Sequence, residues 1–412
     1  MIPFHEFNLP NGLRVIVHED PHVQIAVMNI LYHVGSRDEH PDKTGFAHLF
    51  EHLMFGGSKN IPNYDEPLQL VGGENNAFTN TDITNYYLTV PAANLETGFW
   101  LESDRMLSLS FDPLVLEVQR KVVIEEFKQR YLNQPYGDVW LKLRPLAYQK
   151  HPYQWATIGK EISHIENATM DDVKNFFFSH YLPNNAVLVV AGRVTVGQVK
   201  LLSEKWFGPI PSGGKNERVL PVEPRQAVKR TVTTEANVPA NALYKTYHMS
   251  GRFHPDYYAV DLLCDILGRS ESSRLYQTLV KEKEIFNSIS SFVMGTLDPG
   301  LLVISGRLKE GIRFEDAEHE IDEILGQVIL GVTEKELQKV KNQSTASIAF
   351  GEVEVMNRAM NLAFASLSGD AGLVNREIEI IEKVAASDVQ RVATEVLQEG
   401  NSSVMYYQAT KN

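Results

Sequence analysis

Alternating hydrophobic and polar positions recur along the first part of the 412-residue chain and predict β-strands. The stretch HEFNLPNGLRVIVHED places Pro10-Asn11-Gly12 between two alternating segments, which predicts a β-hairpin. The segments VQIAVMNILYHVG and AFTNTDITNYYLTVP are rich in β-branched and aromatic residues, and the apolar run AVLVVAG suits a buried strand. Together these segments predict a sheet in the first half of the chain.

Between these strands the apolar positions follow a helical period. The stretch HLFEHLMF, residues 48–55, is followed by Gly56-Gly57, which is a common way to end a helix. Residues 92–109 and 112–132 also have the pattern of helices. Strands come first, helices follow, and LPNNAVLVVAG supplies a last strand. This order favours an α+β fold over a strictly alternating α/β fold.

Residues beyond the Gly/Pro-rich segment 208–225 partly repeat those before it. YHVGSR at 32–37 matches YHMSGR at 247–252 with an offset of 215 residues, and Asp172-Val173 matches Asp388-Val389 with an offset of 216. The offset is nearly the same for matches near the start and near the end of the first half of the chain. A constant offset of this kind indicates an internal duplication. The predicted organisation is therefore two homologous domains, 1–207 and 226–412, joined by a linker at 208–225.

Composition and charge narrow the function classes. Contents of 43% hydrophobic and 22% charged residues are typical of a soluble globular protein, and no apolar run is long enough for a membrane span. The formal net charge of −13 argues against a nucleic-acid partner. The N-terminus has no secretion signal, so we expect a cytoplasmic protein, or a periplasmic one if a leader has been removed. Cys264 is the single cysteine, which excludes an internal disulfide and a cysteine-rich zinc module.

The predicted helix with HLFEHLMF has three polar residues in an otherwise apolar run. Positions i, i+3 and i+4 share one helical face, so His48 and His52 can bind one metal ion with Glu51 beside them. Packing does not account for these residues, since the equivalent positions of the repeat are apolar. Those positions are Leu263, Ile266 and Leu267. This is the H-x-x-E-H arrangement, in which zinc and a carboxylate that does not bind it activate water together.

A third metal ligand has to come from elsewhere, because a catalytic zinc site has three protein ligands. Carboxylates are abundant at 115–130, where the choice lies between Glu125 and Glu126. Lysines four residues before and three after Glu125 give it the pattern of a solvent-facing ion pair. Val122 and Val123 lie one turn before Glu126 and indicate an inward face. We therefore predict Glu126 as the third ligand.

Five blocks that span nearly the whole sequence resemble the pitrilysin (M16) family of inverted-motif zinc peptidases, most of all its shorter members akin to the processing peptidase β subunit. The blocks are LPNGLRVIV, GFAHLFEHLMFGGS, GGENNAFTNTDITNYYLTVP, RKVVIEE and HYLPNNAVLVVAG. The resemblance implies His48, His52 and Glu126 as zinc ligands and Glu51 as general base. It also implies two homologous halves, each a mostly antiparallel sheet covered by helices, arranged like a clam around a cavity.

The resemblance further implies where the substrate binds. In the family, the strand after the metal helix pairs with the substrate backbone, and Asn76 and Ala77 are the matching positions. Gln119 departs from the family pattern, because a glutamate commonly stands seven residues before the ligand glutamate. A neutral amide at this position adds no negative charge behind the metal.

A second departure concerns the partner. Val280 and Asn287 occupy the positions of an Arg and a Tyr that contact substrate in many active members of the family. We therefore predict a heterodimer in which a homologous, zinc-free chain supplies the Arg and the Tyr. A homodimer is the alternative.

The function expected from these features is a zinc endopeptidase that acts on short or unfolded peptides. The alternative from another class is a non-catalytic scaffold subunit with the same fold, but such scaffolds tend to lose the metal ligands that the first half keeps. A structural zinc site is a third possibility. Structural zinc usually takes four protein ligands, whereas three ligands and a free carboxylate favour catalysis.

Overall fold

Two compact units make up the computed structural model, which describes residues 1–214 and 218–410. The first unit contains Met1–Arg130, Trp155–Pro221 and Ala349–Arg376, and the second contains Tyr131–Gln154, Val222–Ile348 and Glu377–Asn412. Each unit gathers segments from both sides of the predicted linker at 208–225. The boundaries 1–207 and 226–412 describe the two repeats of the sequence and not the compact units, and they stay a prediction.

A six-stranded sheet forms the centre of the first unit. Its strands are β1 (His5–Asn8), β2 (Arg14–Glu19), β3 (Ile25–Tyr32), β4 (Glu74–Thr79), β5 (Thr84–Pro91) and β6 (Ala186–Gly192). They lie in the order β1-β2-β6-β3-β5-β4, where β2 and β6 run parallel and the other neighbours run antiparallel. The predicted hairpin forms between β1 and β2, and its Gly12 has a φ of 89°, which favours glycine.

A five-stranded sheet forms the centre of the second unit. Its strands, numbered after those of the first unit, are β7 (Arg230–Ala236), β8 (Ala242–His248), β9 (Phe286–Met294), β10 (Leu301–Leu308) and β11 (Ser402–Ala409). Their order is β7-β11-β8-β10-β9, with a parallel pair between β7 and β11. The first sheet has the same order and the same parallel pair once β1 is left out. This confirms the predicted α+β fold of two homologous halves with mostly antiparallel sheets.

Helices cover both sheets. In the described part of the chain they are α1 (Phe46–Leu53), α2 (Asp65–Leu70), α3 (Leu95–Leu107), α4 (Pro113–Phe127), α5 (Val139–Ala147), α6 (Ile162–Glu166), α7 (Met170–His180), α8 (Val196–Trp206), α9 (Tyr257–Gly268), α10 (Phe314–Leu330), α11 (Glu334–Gly351), α12 (Val355–Ala365), α13 (Glu377–Lys383) and α14 (Ala386–Val396). The helices predicted at 48–55, 92–109 and 112–132 are α1, α3 and α4, and α4 continues as the π-helical turn Lys128–Leu132. Within the described residues, none of the helices has both the length and the apolar composition of a membrane span.

One helix on each sheet comes from the far side of the predicted linker. In the first unit, Leu362 of α12 belongs to the same buried apolar cluster as Val27 of β3 and Val189 of β6. In the second unit, Leu143 of α5 belongs to the buried cluster that contains Ala242 of β8. The core of each unit is therefore completed by a segment distant in sequence.

Candidate metal centre

Helix α1 has one buried face and one polar face. The buried face consists of Phe46, Ala47, Leu49, Phe50 and Leu53. On the other face, His48, Glu51 and His52 remain half-buried and lie side by side, as their spacing predicts. The equivalent positions of α9 are all buried in the core of the second unit; they are Leu263, Ile266 and Leu267.

At the end of α4, Glu126 brings a carboxylate to the two imidazoles. Its Oε2 lies 3.6 Å from Nε2 of His48 and 3.5 Å from Nε2 of His52. These distances exceed that of an ordinary hydrogen bond between nitrogen and oxygen. Two ligand atoms bound at about 2.0–2.1 Å to one tetrahedral zinc ion lie about 3.3–3.5 Å apart. The donor set of two imidazoles and one carboxylate therefore fits zinc.

The charges around the end of α4 distinguish Glu126 from Glu125. Glu125 pairs with Lys128 at 2.7 Å, and 59% of its side chain is exposed. Only 17% of the Glu126 side chain is exposed, and its Oε1 lies 2.8 Å from Nη1 of Arg130. One oxygen of Glu126 is thus held by Arg130 while the other faces the imidazoles.

Two details of the expected arrangement on α4 are wrong. Lys121 pairs with Glu117 at 3.1 Å and not with Glu125. Glu125 pairs instead with Lys128, three residues after it. Val123 is buried as expected, whereas 44% of Val122 is exposed, because it lies on the outer side of the helix.

A buried carboxylate that the sequence analysis did not single out holds the start of α1. Oε2 of Glu39 accepts a hydrogen bond from the backbone N–H of Gly45 at 2.9 Å, and Oε1 accepts one from Ala47 at 2.8 Å. The indole N–H of Trp155 donates to the same carboxylate at 3.0 Å. Burial raises the pKa of Glu39 to about 8, although these donors favour its charged form. Gly45 is the N-cap of α1 and has no side chain to cap the helix. This absence was the signal in the sequence that another residue caps α1.

Burial and neighbouring charges shift the pKa values of the site. Burial lowers the pKa of His48, which favours the neutral imidazole that binds metals. The contact with His52 lowers the pKa of Glu126 and favours its carboxylate form. Burial raises the pKa of Glu51, and Thr79 and His52 partly oppose this shift. His48 and Glu126 are therefore biased towards their metal-binding forms.

A buried ion pair lies behind the C-terminal end of α1. The guanidinium of Arg105 is 2.6 Å from the carboxylate of Glu102, and both side chains are almost fully buried. The same guanidinium lies 4.6 Å from the ring centre of Tyr64 and 4.4 Å from that of Tyr86. The hydroxyl of Tyr86 donates to the backbone oxygen of Phe50 at 3.4 Å. One long hydrogen bond thus connects this cluster to the α1 backbone between the two histidines.

Strand β4 has a free edge beside α1. It pairs with β5, and in the described chain no strand lies on its other side. The N–H of Ala77 donates to Oδ1 of the exposed Asn76 side chain at 2.8 Å, so it is not used to bind β5. Gln119 is half-buried on α4, two turns before Glu126. In the described structure its amide makes no hydrogen bond to the metal residues.

The two positions that prompted the partner prediction lie in the second unit. Val280 packs against the buried core of that unit. Asn287 stands on the edge strand β9, and its amide donates to the backbone oxygen of Leu308 at 3.0 Å. Neither side chain provides the cation or the phenol that the family resemblance implies at these positions.

Comparison with known proteins identifies the family. The model described as Insulinase (Peptidase family M16) matches residues 14–160, and the model described as Peptidase M16 inactive domain matches residues 167–344. The zinc protease PqqE of Helicobacter pylori is 30% identical over 416 residues, which cover 98% of this chain and 93% of that protein. The chain belongs to peptidase family M16. This confirms the resemblance seen in the sequence blocks.

Further M16 relatives cover the chain over nearly its whole length. The probable mitochondrial-processing peptidase subunit beta of Schizosaccharomyces pombe is 26% identical over 415 residues, which cover 96% of this chain and 89% of that protein. The crystal structure of a protease from Helicobacter pylori superposes with a TM-score of 0.92 at 29% identity, covering 99% of this chain and 100% of that chain. The match to the M16 peptidase model includes His48, Glu51, His52 and Glu126, whereas the match to the inactive-domain model includes their apolar counterparts in α9.

Proposed function

We propose that this M16 protein is a zinc-dependent endopeptidase that hydrolyses short or unfolded peptides. One observation supports the proposal most strongly. The ligand atoms of His48, His52 and Glu126 lie within 4.8 Å of one another, with the Glu51 carboxylate beside them and outside the ligand set. Three protein ligands are typical of a catalytic zinc site, and four are typical of a structural one. The non-catalytic scaffold alternative gives Glu51 no role.

The roles of the residues follow from this arrangement. When bound, zinc acts as a Lewis acid that polarises a peptide carbonyl and lowers the pKa of water. Glu51 accepts the proton of the attacking water on its carboxylate and then gives it to the leaving amine. Arg130 holds Oε1 of Glu126, so that Oε2 stays directed at the histidines. Glu39 holds the start of α1 and thereby the face that carries all three polar residues.

The free edge of β4 is suited to bind an extended substrate. A peptide that adds to this edge as a further strand would use the backbone groups of Ala77 and lie beside the exposed side chain of Asn76. Recognition of this kind reads the backbone and tolerates varied side chains. It requires a segment with no partner strand of its own, which favours short or unfolded peptides over folded proteins.

Replacement of the proposed base tests the mechanism. We expect Glu51→Gln to retain stoichiometric zinc and to lower the cleavage rate of an unstructured peptide by about 100-fold or more. Glu125→Gln, at the exposed neighbour of Glu126, is the matched control and should leave both zinc content and cleavage unchanged. Undiminished cleavage by Glu51→Gln would remove this residue from the mechanism. A purified chain that holds zinc but cleaves nothing, with or without a homologue, would favour the scaffold alternative.

The catalytic unit we propose is a heterodimer of this chain with a zinc-free homologue. Val280 and Asn287 support this proposal, because they are packed or hydrogen-bonded within the second unit and offer no cation or phenol to a substrate. We expect the chain alone to cleave unstructured peptides slowly and a co-expressed homologue to raise the rate. If the purified chain alone cleaves as fast as it does in cell extract, the heterodimer proposal is wrong. A self-associated, fully active chain would favour the homodimer.

A further inference from the structure

A polar cavity of about 370 Å³ lies in the second unit, between α9, α11 and the start of α13. By the order of the elements, α9 and α11 take the places in the second half that α1 and α4 take in the first. Helix α1 packs closely on α4, whereas α9 and α11 have the cavity between them. The helices equivalent to those of the metal centre therefore border an open cavity.

The basic groups of this cavity already form ion pairs, although the buried Nη1 of Arg252 has no hydrogen-bond partner among the described residues. Nη2 of Arg252 lies 2.6 Å from Oε1 of Glu377, and the hydroxyl of Tyr258 donates to the same oxygen at 2.8 Å. Nη1 of Arg269 lies 2.8 Å from Oδ1 of Asp265. Each guanidinium thus neutralises one carboxylate of the lining.

Asp261 also lines the cavity, and its carboxylate belongs to neither of these ion pairs. It lies one helical turn before Asp265 on α9 and lines the same cavity. Across the described residues, Asp261 makes no hydrogen bond and no direct ion pair, and Arg252 and Arg269 act on it only through longer-range electrostatics. Burial raises the pKa of Asp261, as expected for a partly desolvated carboxylate with no bound cation. The cavity therefore carries one uncompensated negative charge when its ionisable groups are ionised.

We propose that the cavity binds a small organic cation, an ammonium or guanidinium group on a short aliphatic stem, with Asp261 as its counter-ion. The opposite wall provides the oxygens of Gln343 and Ser347 for the N–H groups of the ligand, and Ile348 and Ile381 provide apolar contacts for the stem. The volume is at the small end of ligand pockets, which suits a ligand the size of one basic side chain.

A metal ion does not fit this lining. Apart from the His48 centre, the described chain has no three acidic, histidine or cysteine residues with ligand atoms close enough to share an ion. The carboxylates of Asp261, Asp265 and Glu377 therefore do not converge on one point, and two of them are already paired with arginines. This inference goes beyond the proposed peptidase activity and does not depend on it.

Calorimetric titration with n-butylguanidinium tests the inference on the full chain. We expect one binding site, no binding of the neutral analogue n-butylurea, and a loss of affinity of about tenfold or more in Asp261→Asn, because hydrogen bonds to charged groups contribute most. Glu323→Gln removes an exposed carboxylate on α10 and should bind as the original chain does. Ser347→Phe fills the cavity from an exposed helical position without changing its charge, and it should abolish binding.

Two sources provide such a cation, a free metabolite and the basic side chain of a peptide. Titration with a blocked Ala-Arg-Ala tripeptide separates them, and the Glu51→Gln background prevents cleavage from contributing heat. Tripeptide binding that Ser347→Phe abolishes assigns the cavity to a peptide side chain, whereas binding of n-butylguanidinium alone assigns it to a free cation. Absence of any binding, equal affinity in Asp261→Asn, or equal affinity for n-butylurea would overturn the inference.

Discussion

Arg130 lies one helical turn after Glu126, and its Nη1 is 2.8 Å from Oε1 of that residue. The other oxygen, Oε2, faces His48 and His52 at 3.6 and 3.5 Å. Oε1 of Glu126 therefore pairs with Arg130, while Oε2 is directed at the two imidazoles. Because Arg130 is largely exposed, it orients Glu126 from the solvent side without occupying the space between the imidazoles.

The first prediction concerns the third ligand. Glu126→Gln removes the negative charge from the donor set while keeping the size of the side chain. We expect zinc affinity to fall by about 100-fold or more, since loss of an outer-shell partner alone typically costs 10- to 100-fold. Competition with a fluorescent chelator measures this affinity. Equal affinity in Glu126→Gln and in the matched control Glu125→Gln would contradict the assignment of Glu126.

The second prediction concerns the buried cap of α1. Glu39→Gln replaces a carboxyl group whose two oxygens together accept three N–H groups by an amide whose nitrogen cannot accept a hydrogen bond. We expect the first unit to lose about 2 kcal/mol of stability, because a buried donor is left without an acceptor. Denaturant unfolding followed by circular dichroism measures the loss.

Zinc affinity should fall together with this stability, because the cap holds the helix that carries two ligands. Glu166→Gln, at an exposed position of the same unit, is the control and should behave like the original chain. A Glu39→Gln chain with unchanged unfolding and unchanged zinc affinity would show that the carboxylate does not organise α1.

The third prediction concerns the free edge of β4 and rests on the proposed activity. Ala77→Pro removes an N–H that is not used to bind β5, and edge strands tolerate proline. We expect kcat/KM for an unstructured peptide to fall about two- to tenfold, which corresponds to one hydrogen bond of about 0.5–1.5 kcal/mol. Zinc content should not change. Ala77→Val keeps the N–H and adds bulk, so an equal loss in both variants would point to steric hindrance and not to backbone pairing.

The fourth prediction concerns acid stability of the second unit. Burial on its own would raise the pKa of Glu318, but Lys245, Lys229 and Tyr406 lower it to about 2. A carboxylate with a lowered pKa stabilises the fold above its unfolded pKa, and this contribution is lost as the pH falls from about 4.5 to about 2.

We therefore expect Glu318→Gln to melt at a lower temperature than the original chain at pH 7. The difference in melting temperature should shrink as the pH falls towards 2, where the original carboxylate is also protonated. Scanning calorimetry at a series of pH values measures this convergence. A difference independent of pH would show that packing, and not charge, accounts for the effect.

Local periodicity was enough to predict much of the molecule. The spacing of His48, Glu51 and His52 predicts their common face on any helix, whatever surrounds it. The hairpin at Gly12 and the buried strand β6 follow equally from turn chemistry and an apolar run. Glu126 was separable from Glu125 because the lysine three residues after Glu125 marks that residue as exposed.

Details that helical spacing alone does not determine were beyond prediction. Glu39 reaches α1 because Gly45 has a φ of 88°, a backbone turn that the helical pattern does not encode. Arg130 lies one turn after Glu126 on the helix predicted over 112–132, so their proximity was predictable, but the sequence did not show which carboxylate oxygen Arg130 would bind. Val122 shows the limit of arguments from neighbours, since an apolar residue near a ligand still lies on the exposed side.

The placement of α5 and α12 has a consequence for any attempt to divide this protein. A fragment that stops at residue 207 contains α5 but lacks the strands it shields, and it leaves the apolar surface of β3 and β6 bare where Leu362 belongs. The fragment that begins at residue 208 contains α12 without β3 and β6, and it lacks α5. We therefore expect neither piece to fold by itself, because each lacks a helix that completes its own core and carries one whose partner strands are missing.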